Sequence, residues 1–107
     1  FNETGYLLDT HTAIGYGVLK QYQQETGDHT KTVLLSTASP YKFPESVYQA
    51  IYGEELDVYT AIDKLSEKTG VPVPQALAGI KEREVLHKEA IDKTEIISFI
   101  KSEIEAM

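Results

Sequence analysis

One short run, Thr32-Val33-Leu34-Leu35-Ser36, constrains this chain more than any other feature. It is nearly continuous, apolar and β-branched, the pattern of a strand buried on both faces of a parallel sheet. No other run among the 107 residues reads as strand with equal clarity. A single strand has no sheet to join, and its N–H and C=O groups go unsatisfied if it is buried alone. Two resolutions are open: partner strands near Leu7 or Val85, or partners supplied from outside these residues. The chain starts at Phe1 rather than Met, and Phe1-Asn2-Glu3-Thr4-Gly5-Tyr6 has neither the basic nor the apolar region of a signal peptide. The expectation is therefore a piece of a longer protein whose partner strands lie upstream.

Helices surround that run. Asp9 or Thr10 offers a capping oxygen, and Ile14, Val18 and Tyr22 recur at helical spacing from Thr12 to about Gln24. Gly15 and Gly17 inside this helix each cost roughly 1 kcal/mol against Ala, which predicts close approach of a neighbouring backbone. Thr26-Gly27-Asp28-His29 reads as a turn. Beyond the strand, Pro44 suits a first helical turn, with Val47, Ala50 and Ile51 on the apolar side and Gly53 as the stop. The first half is thus helix–strand–helix.

The second half reads as helical. Glu54 to Thr69 places Val58, Ile62 and Leu65 on one face and ends at Gly70. Val71-Pro72-Val73-Pro74 is extended, because each proline pushes its predecessor out of the α region. Gln75 to Ile80 fits one short helical turn, while Lys81 to Ile91 has no decisive pattern. Asp92-Lys93-Thr94-Glu95 carries capping-box logic with Asp in the usual Ser or Thr place. The helix it starts runs towards Met107, with Ile96, Ile97, Ile100 and Ile104 expected as its buried stripe.

Composition narrows the function classes. Ten basic residues against 17 acidic give a net charge of −7, a poor match for a phosphate backbone, so no nucleic-acid partner is expected. The acidity is concentrated in residues 54–107, which hold twelve of the acids, and reads as solvated helix faces. No apolar run approaches the ~20 residues of a membrane span. The absence of Cys removes disulfides, thiol catalysis and thiolate metal sites, and fits a cytoplasmic location. His11, His29 and His87 are scattered without metal-ligand spacing, so no metal site is expected. No phosphate-binding loop or nucleophile elbow is present. Gly15-Tyr16-Gly17 matches a dinucleotide fingerprint only weakly, and it lies inside a helix rather than before one.

What remains is the strand exit, Ser36-Thr37-Ala38-Ser39-Pro40-Tyr41-Lys42. Ligands of open α/β sheets bind outside the carboxyl ends of strands. Three hydroxyls and an ammonium there suit a small polar ligand or a ring nitrogen, and equally a turn that caps its own backbone.

Two segments carry a resemblance. Leu8-Asp9-Thr10-His11-Thr12-Ala13-Ile14-Gly15, followed by Val33-Leu34-Leu35-Ser36-Thr37-Ala38-Ser39-Pro40-Tyr41-Lys42-Phe43-Pro44, strongly resembles the C-terminal part of threonine synthase. The family's first segment reads as an acid or Asp-Pro, then His-Thr-Ala and a Gly; its second reads as Thr-Ala-His-Pro-Ala-Lys-Phe after a buried strand. The similarity continues through the helices to Met107.

The resemblance implies a pyridoxal-phosphate enzyme of the tryptophan-synthase-like fold, converting O-phospho-L-homoserine and water into L-threonine and phosphate. The implied fold class is α/β: an incomplete helix–strand–helix piece of a three-layer αβα cofactor domain in residues 1–53, and a mostly helical C-terminal extension in residues 54–107. The cofactor-binding residue it implies is Thr37, whose family counterpart places a hydroxyl on the pyridine nitrogen of the cofactor. No catalytic residue is implied in this stretch. The lysine that carries the cofactor and the phosphate cradle belong to upstream sequence, so Lys42 is not that lysine. Ser39 replaces a His of many relatives, Tyr41 replaces a small residue, and His11 and Thr12 are expected to fix the helix entry.

The expected partners are the missing N-terminal portion, or a second copy, and the chain alone is expected to be inactive. Two readings stand beside this one: a free-standing acidic α/β protein-interaction module without catalysis, and another enzyme of the same cofactor fold acting on a related amino acid.

Overall fold

Capping side chains and glycines set the helix boundaries. In the computed structural model, which describes residues 1–107, helix α1 (Thr10–Thr26) begins at Asp9. The Asp9 carboxylate accepts from the backbone N–H groups of His11 (3.0 Å) and Thr12 (3.2 Å). Helix α2 (Pro44–Tyr52) carries Pro44 in its first turn, where the missing N–H has no partner to lose. Helix α3 (Val58–Thr69) is capped by Asp57. That cap starts α3 four residues later than the apolar spacing alone suggests. Gly53 (φ 74°) and Gly70 (φ 70°) stop α2 and α3 in the left-handed region that side chains disfavour. Asp92 and Glu95 form the expected capping box, and helix α4 (Ile96–Glu105) follows after one 3₁₀ turn (Lys93–Glu95).

The core lies where α2 meets α3. It is built from Leu7, Tyr41, Val47, Tyr48, Ala61, Ile62 and Leu65, with Ile51, Tyr52, Leu56, Val71 and Val73 half-buried around it. Tyr41 sits in a 3₁₀ turn (Pro40–Lys42) and donates its hydroxyl hydrogen bond to the carbonyl of Val71. Ser66 Oγ donates to the same carbonyl at 3.0 Å. Those two bonds tie the extended Val71–Pro74 stretch back over the helix pair. Tyr48 is 1% exposed and Leu65 0%.

Three expectations need correction. Thr32–Ser36 is not a strand: the chain has no regular β-structure, and Val33 and Leu35 are 80% and 77% exposed. A strand needs a partner's N–H and C=O groups, and no second segment of this chain offers a ladder. The isoleucine stripe of α4 is not buried either; Ile96, Ile97, Ile100 and Ile104 are all exposed, because no other helix packs against α4. The close approach of a neighbouring backbone expected at the two glycines is found at neither; Gly15 makes room for a side chain instead. A Cβ at Gly15 would stand 3.0 Å from Leu34 Cδ1, whereas at Gly17 it would meet nothing within 4 Å.

The outcome is an open shape of 59 × 33 × 23 Å with a radius of gyration of 19.1 Å. A compact chain of this length has a radius near 13 Å. The accessible surface is 8677 Å², roughly 2,700 Å² more than a compact protein of this mass exposes. The architecture is helical, in four α-helices and three 3₁₀ turns. No helix is long and apolar enough to cross a membrane.

Candidate functional site

The buried polar cluster of the molecule forms where α1 begins. Asp9 follows the core residue Leu7, is 1% exposed, and gathers four donors. Its Oδ1 accepts from the backbone of His11 and Thr12. Its Oδ2 accepts from the hydroxyl of Thr12 and from Ser36 Oγ, the latter at 3.3 Å. Ser36 lies 27 residues further along, in the extended segment that returns from the end of α1. Each hydroxyl has one proton to give. With both spent on the carboxylate, the 3.4 Å approach of Thr12 Oγ1 to Ser36 Oγ is a consequence of the shared acceptor.

Four donors decide the charge of Asp9. The Thr12 hydroxyl is the largest influence; burial works against it, and the two backbone N–H groups and Ser36 add to it. The balance lowers the pKa from 3.8 to about 2, as hydrogen bonds to the charged form do. Asp9 is therefore a carboxylate at every pH near neutrality and an acceptor with no capacity to spare. General acid–base work needs a group that titrates near the operating pH. Asp9 is a fixed point of attachment instead.

The segment it anchors carries the residue expected to meet the cofactor. Thr37 follows Ser36, is exposed, and takes part in none of the hydrogen bonds of the chain. A hydroxyl in that condition suits a ring nitrogen, as donor or acceptor. The other residues singled out in the sequence have structural occupations. Ser39 Oγ caps the 3₁₀ turn by accepting from Tyr41 N at 3.2 Å. Tyr41 fills the core. Lys42 ends the same turn, exposed. His11 stacks edge-on to Phe43 with centroids 5.1 Å apart, and its Nδ1 is 3.5 Å from Asp9 Oδ1. His11 and Thr12 thus hold the entry of α1, Thr12 through the Asp9 carboxylate. No three His, Asp or Glu side chains stand together as a metal site.

Sequence reasoning found Asp9 as a cap but missed its bond to Ser36. Asp9 and Thr12 are three residues apart, which a capping pattern makes visible. The third member is 27 residues away, and no local pattern announces it.

Beside the cluster, an open groove of about 680 Å³ runs between the N-terminal segment, α1 and α2. Its lining is mostly apolar, including Tyr6, Leu8, Ile14, Tyr16 and Ile51. It shares Asp9 with the cluster but includes none of Thr12, Ser36 and Thr37. With Asp9 saturated, the groove has few groups to orient a polar substrate.

A family model described as threonine synthase, C-terminal, matches residues 12–100. The match takes in Thr12, Ser36 and Thr37 together with α2 and α3. No curated protein and no solved structure matches the chain.

Proposed function

The chain belongs to the threonine synthase C-terminal family, and from that premise we propose that it serves as the C-terminal portion of a pyridoxal-phosphate-dependent lyase converting O-phospho-L-homoserine and water into L-threonine and phosphate. The observation that carries the reading is the family match over residues 12–100, which takes in the end of the first motif-bearing segment, the whole of the second, and α2 and α3. The membership favours this over the interaction module. In the complete enzyme, Thr32–Ser36 is a strand of the cofactor domain's sheet, paired with strands from upstream sequence. That gives the α/β architecture that these residues do not build alone. Residues 1–53 belong to the cofactor domain and 54–107 to a helical extension. The surplus surface supports a large covering partner, either the N-terminal portion or a second copy. A cytoplasmic location goes with this reading.

The residue that would hold the cofactor is Thr37, through its hydroxyl at the pyridine nitrogen. The fit rests on the donor set: an exposed hydroxyl without an internal partner, on a segment tied down by its neighbour. When bound, pyridoxal phosphate supplies the electron sink for carbanion chemistry at the substrate. A hydroxyl is a neutral partner, so Thr37 orients the ring without fixing a proton on its nitrogen. A carboxylate there would favour the protonated ring. Asp9 cannot take that part, since all four of its acceptor positions are occupied.

The test is phosphate release from O-phospho-L-homoserine by the full-length protein loaded with pyridoxal phosphate. Turnover is expected from the full-length protein and none from residues 1–107 alone, whose rate should equal that of free cofactor. Thr37→Ala in the full-length protein should retain cofactor and lower turnover about 5- to 150-fold, the cost of one buried hydrogen bond. A loaded full-length protein that releases no phosphate overturns the reading.

A further inference from the structure

Between α1 and the Pro40–Lys42 turn, residues 28–38 form no backbone-to-backbone hydrogen bond at all. The first part of this segment is tied locally, Asp28 accepting from Tyr22 Oη at 3.1 Å and from Thr30 N at 2.9 Å. Its middle is exposed at Val33 and Leu35, with Leu34 resting beside Gly15. Before Thr37 the polar connection to another element is Ser36 Oγ, which donates to Asp9 Oδ2; after it, Ser39 Oγ accepts from Tyr41 N at 3.2 Å.

The chain contains its own control for what a helix cap requires. Asp57 and Thr60 repeat the chemistry of Asp9 and Thr12: the carboxylate accepts from the N–H groups two and three residues on (3.1 and 3.2 Å), and the Thr60 hydroxyl donates to it at 2.5 Å. That cap starts α3 with no third side chain, and Asp57 is exposed. Capping α1 therefore does not need Ser36. Asp9 is buried and recruits Ser36, so the bond serves the segment and not the helix.

We propose that Asp9 and Thr12, acting through Ser36, form a positioning device that fixes the neighbouring Thr37 hydroxyl for the cofactor's ring nitrogen. The proposal rests on the reading of Thr37 given above. Asp9, Thr12 and Ser36 touch neither cofactor nor substrate in this role. They restrict the backbone at the residue before the one that does, so binding no longer has to order that backbone at its own expense. The geometry assigns the device a fixed end, the N-terminus of α1, and an exposed end at Thr37, flanked by Ser36 on the Asp9 carboxylate and by Ser39 on Tyr41 N.

The measurement is titration of the full-length apoenzyme with pyridoxal 5′-phosphate, read by the cofactor's absorption and by the dissociation constant. Ser36→Ala removes the tether and leaves the α1 cap intact. It should weaken cofactor binding about two- to tenfold, the worth of one hydrogen bond, and shift the absorption band in the direction that Thr37→Val shifts it. Ser36→Thr, which keeps the hydroxyl, should restore both. On a Thr37→Val background, Ser36→Ala should add nothing, because the group it positions is gone. Wild-type affinity and spectrum in Ser36→Ala, with Thr37→Val altered, overturn the device and spare the reading of Thr37. A Ser36→Ala penalty of equal size on both backgrounds does the same. If Thr37→Val changes neither quantity, the reading of Thr37 falls and the device with it.

Discussion

Helices α3 and α4 have the same kind of sequence and opposite fates. Helix α3 begins at an aspartate cap and α4 one 3₁₀ turn after one, and both carry an apolar stripe at helical spacing. The stripe of α4 is the richer, with four isoleucines against Val58, Ile62 and Leu65. Yet α3 buries Ala61, Ile62 and Leu65, and α4 buries nothing. The difference is the neighbour: α2 lies against α3, and the chain returns through Tyr41 and Val71 to close that core. Amphipathicity states that a helix has a face to bury. It does not state what buries it.

The largest expected effect divides the two helices by stability. Leu65→Ala in residues 1–107 should cost about 2–5 kcal/mol, as loss of a fully buried leucine does. A core this small cannot absorb such a loss, so the variant should be unfolded in far-UV circular dichroism. Ile100→Ala, at a residue 50% exposed, should stay within about 0.5 kcal/mol by urea denaturation. Equal losses at the two positions would mean that α4 has a partner in the isolated chain, and the comparison would fail.

The same contrast explains which parts of the fold are legible in the sequence. Asp9, Pro44, Gly53, Gly70 and the Asp92–Glu95 box mark helix ends correctly because each acts within a turn of its own position. The burial of Tyr41 and Tyr48 was not legible. Each is a residue with a polar tip, and each becomes core only when α2 meets α3. The apolar face read on α2 included Ala50, which is exposed, and omitted Tyr48, which is nearly inaccessible. Thr32–Ser36 has strand composition, but a strand is a relation between two segments, and only one is here. For the candidate site, Thr37 came from resemblance, and its free hydroxyl is what the structure adds. The Asp9–Ser36 bond joins residues 27 apart and has no local signature.

The second expected effect concerns what covers the open half. With α4 bare and α1 showing Ile14 and Val18 at 68% and 62% exposure, the isolated chain presents apolar surface beyond the few hundred Å² usual for monomers. Its surplus of roughly 2,700 Å² exceeds the ~800 Å² per partner that a stable interface takes. At micromolar concentration it should be a dimer or larger by light scattering. Ile100→Glu, which places a charge on the bare stripe and keeps a good helix former, should shift the species towards monomer and leave the α2–α3 core folded. A clean monomer across a hundredfold dilution of the parent chain would show that these faces are quiet without upstream sequence.

The smallest effect lies at Asp9, where the packed and open regions meet. Its folded pKa of about 2 lies below the ordinary 3.8, so the native state binds fewer protons than the unfolded state between those values. The stability linked to Asp9 is complete above about pH 4 and lost as pH falls through about 2. Neutral solution therefore leaves the cap and the Ser36 tether untouched, and only strong acid releases them. Carbon-13 titration of the Asp9 carboxyl in a folded sample should give a midpoint near 2. Thr12→Val should raise it most, since the Thr12 hydroxyl is the largest influence, and Ser36→Ala should raise it least. The order matters more than the sizes. If Ser36→Ala moved the midpoint as far as Thr12→Val, the extended segment would be bound to α1 as tightly as the helix is to its own cap, and the line drawn between the packed and open regions would have to move past residue 36. A midpoint at the ordinary aspartate value in the parent chain would mean instead that the four donors do not converge on this carboxylate in solution, leaving Thr37 on a segment without an anchor.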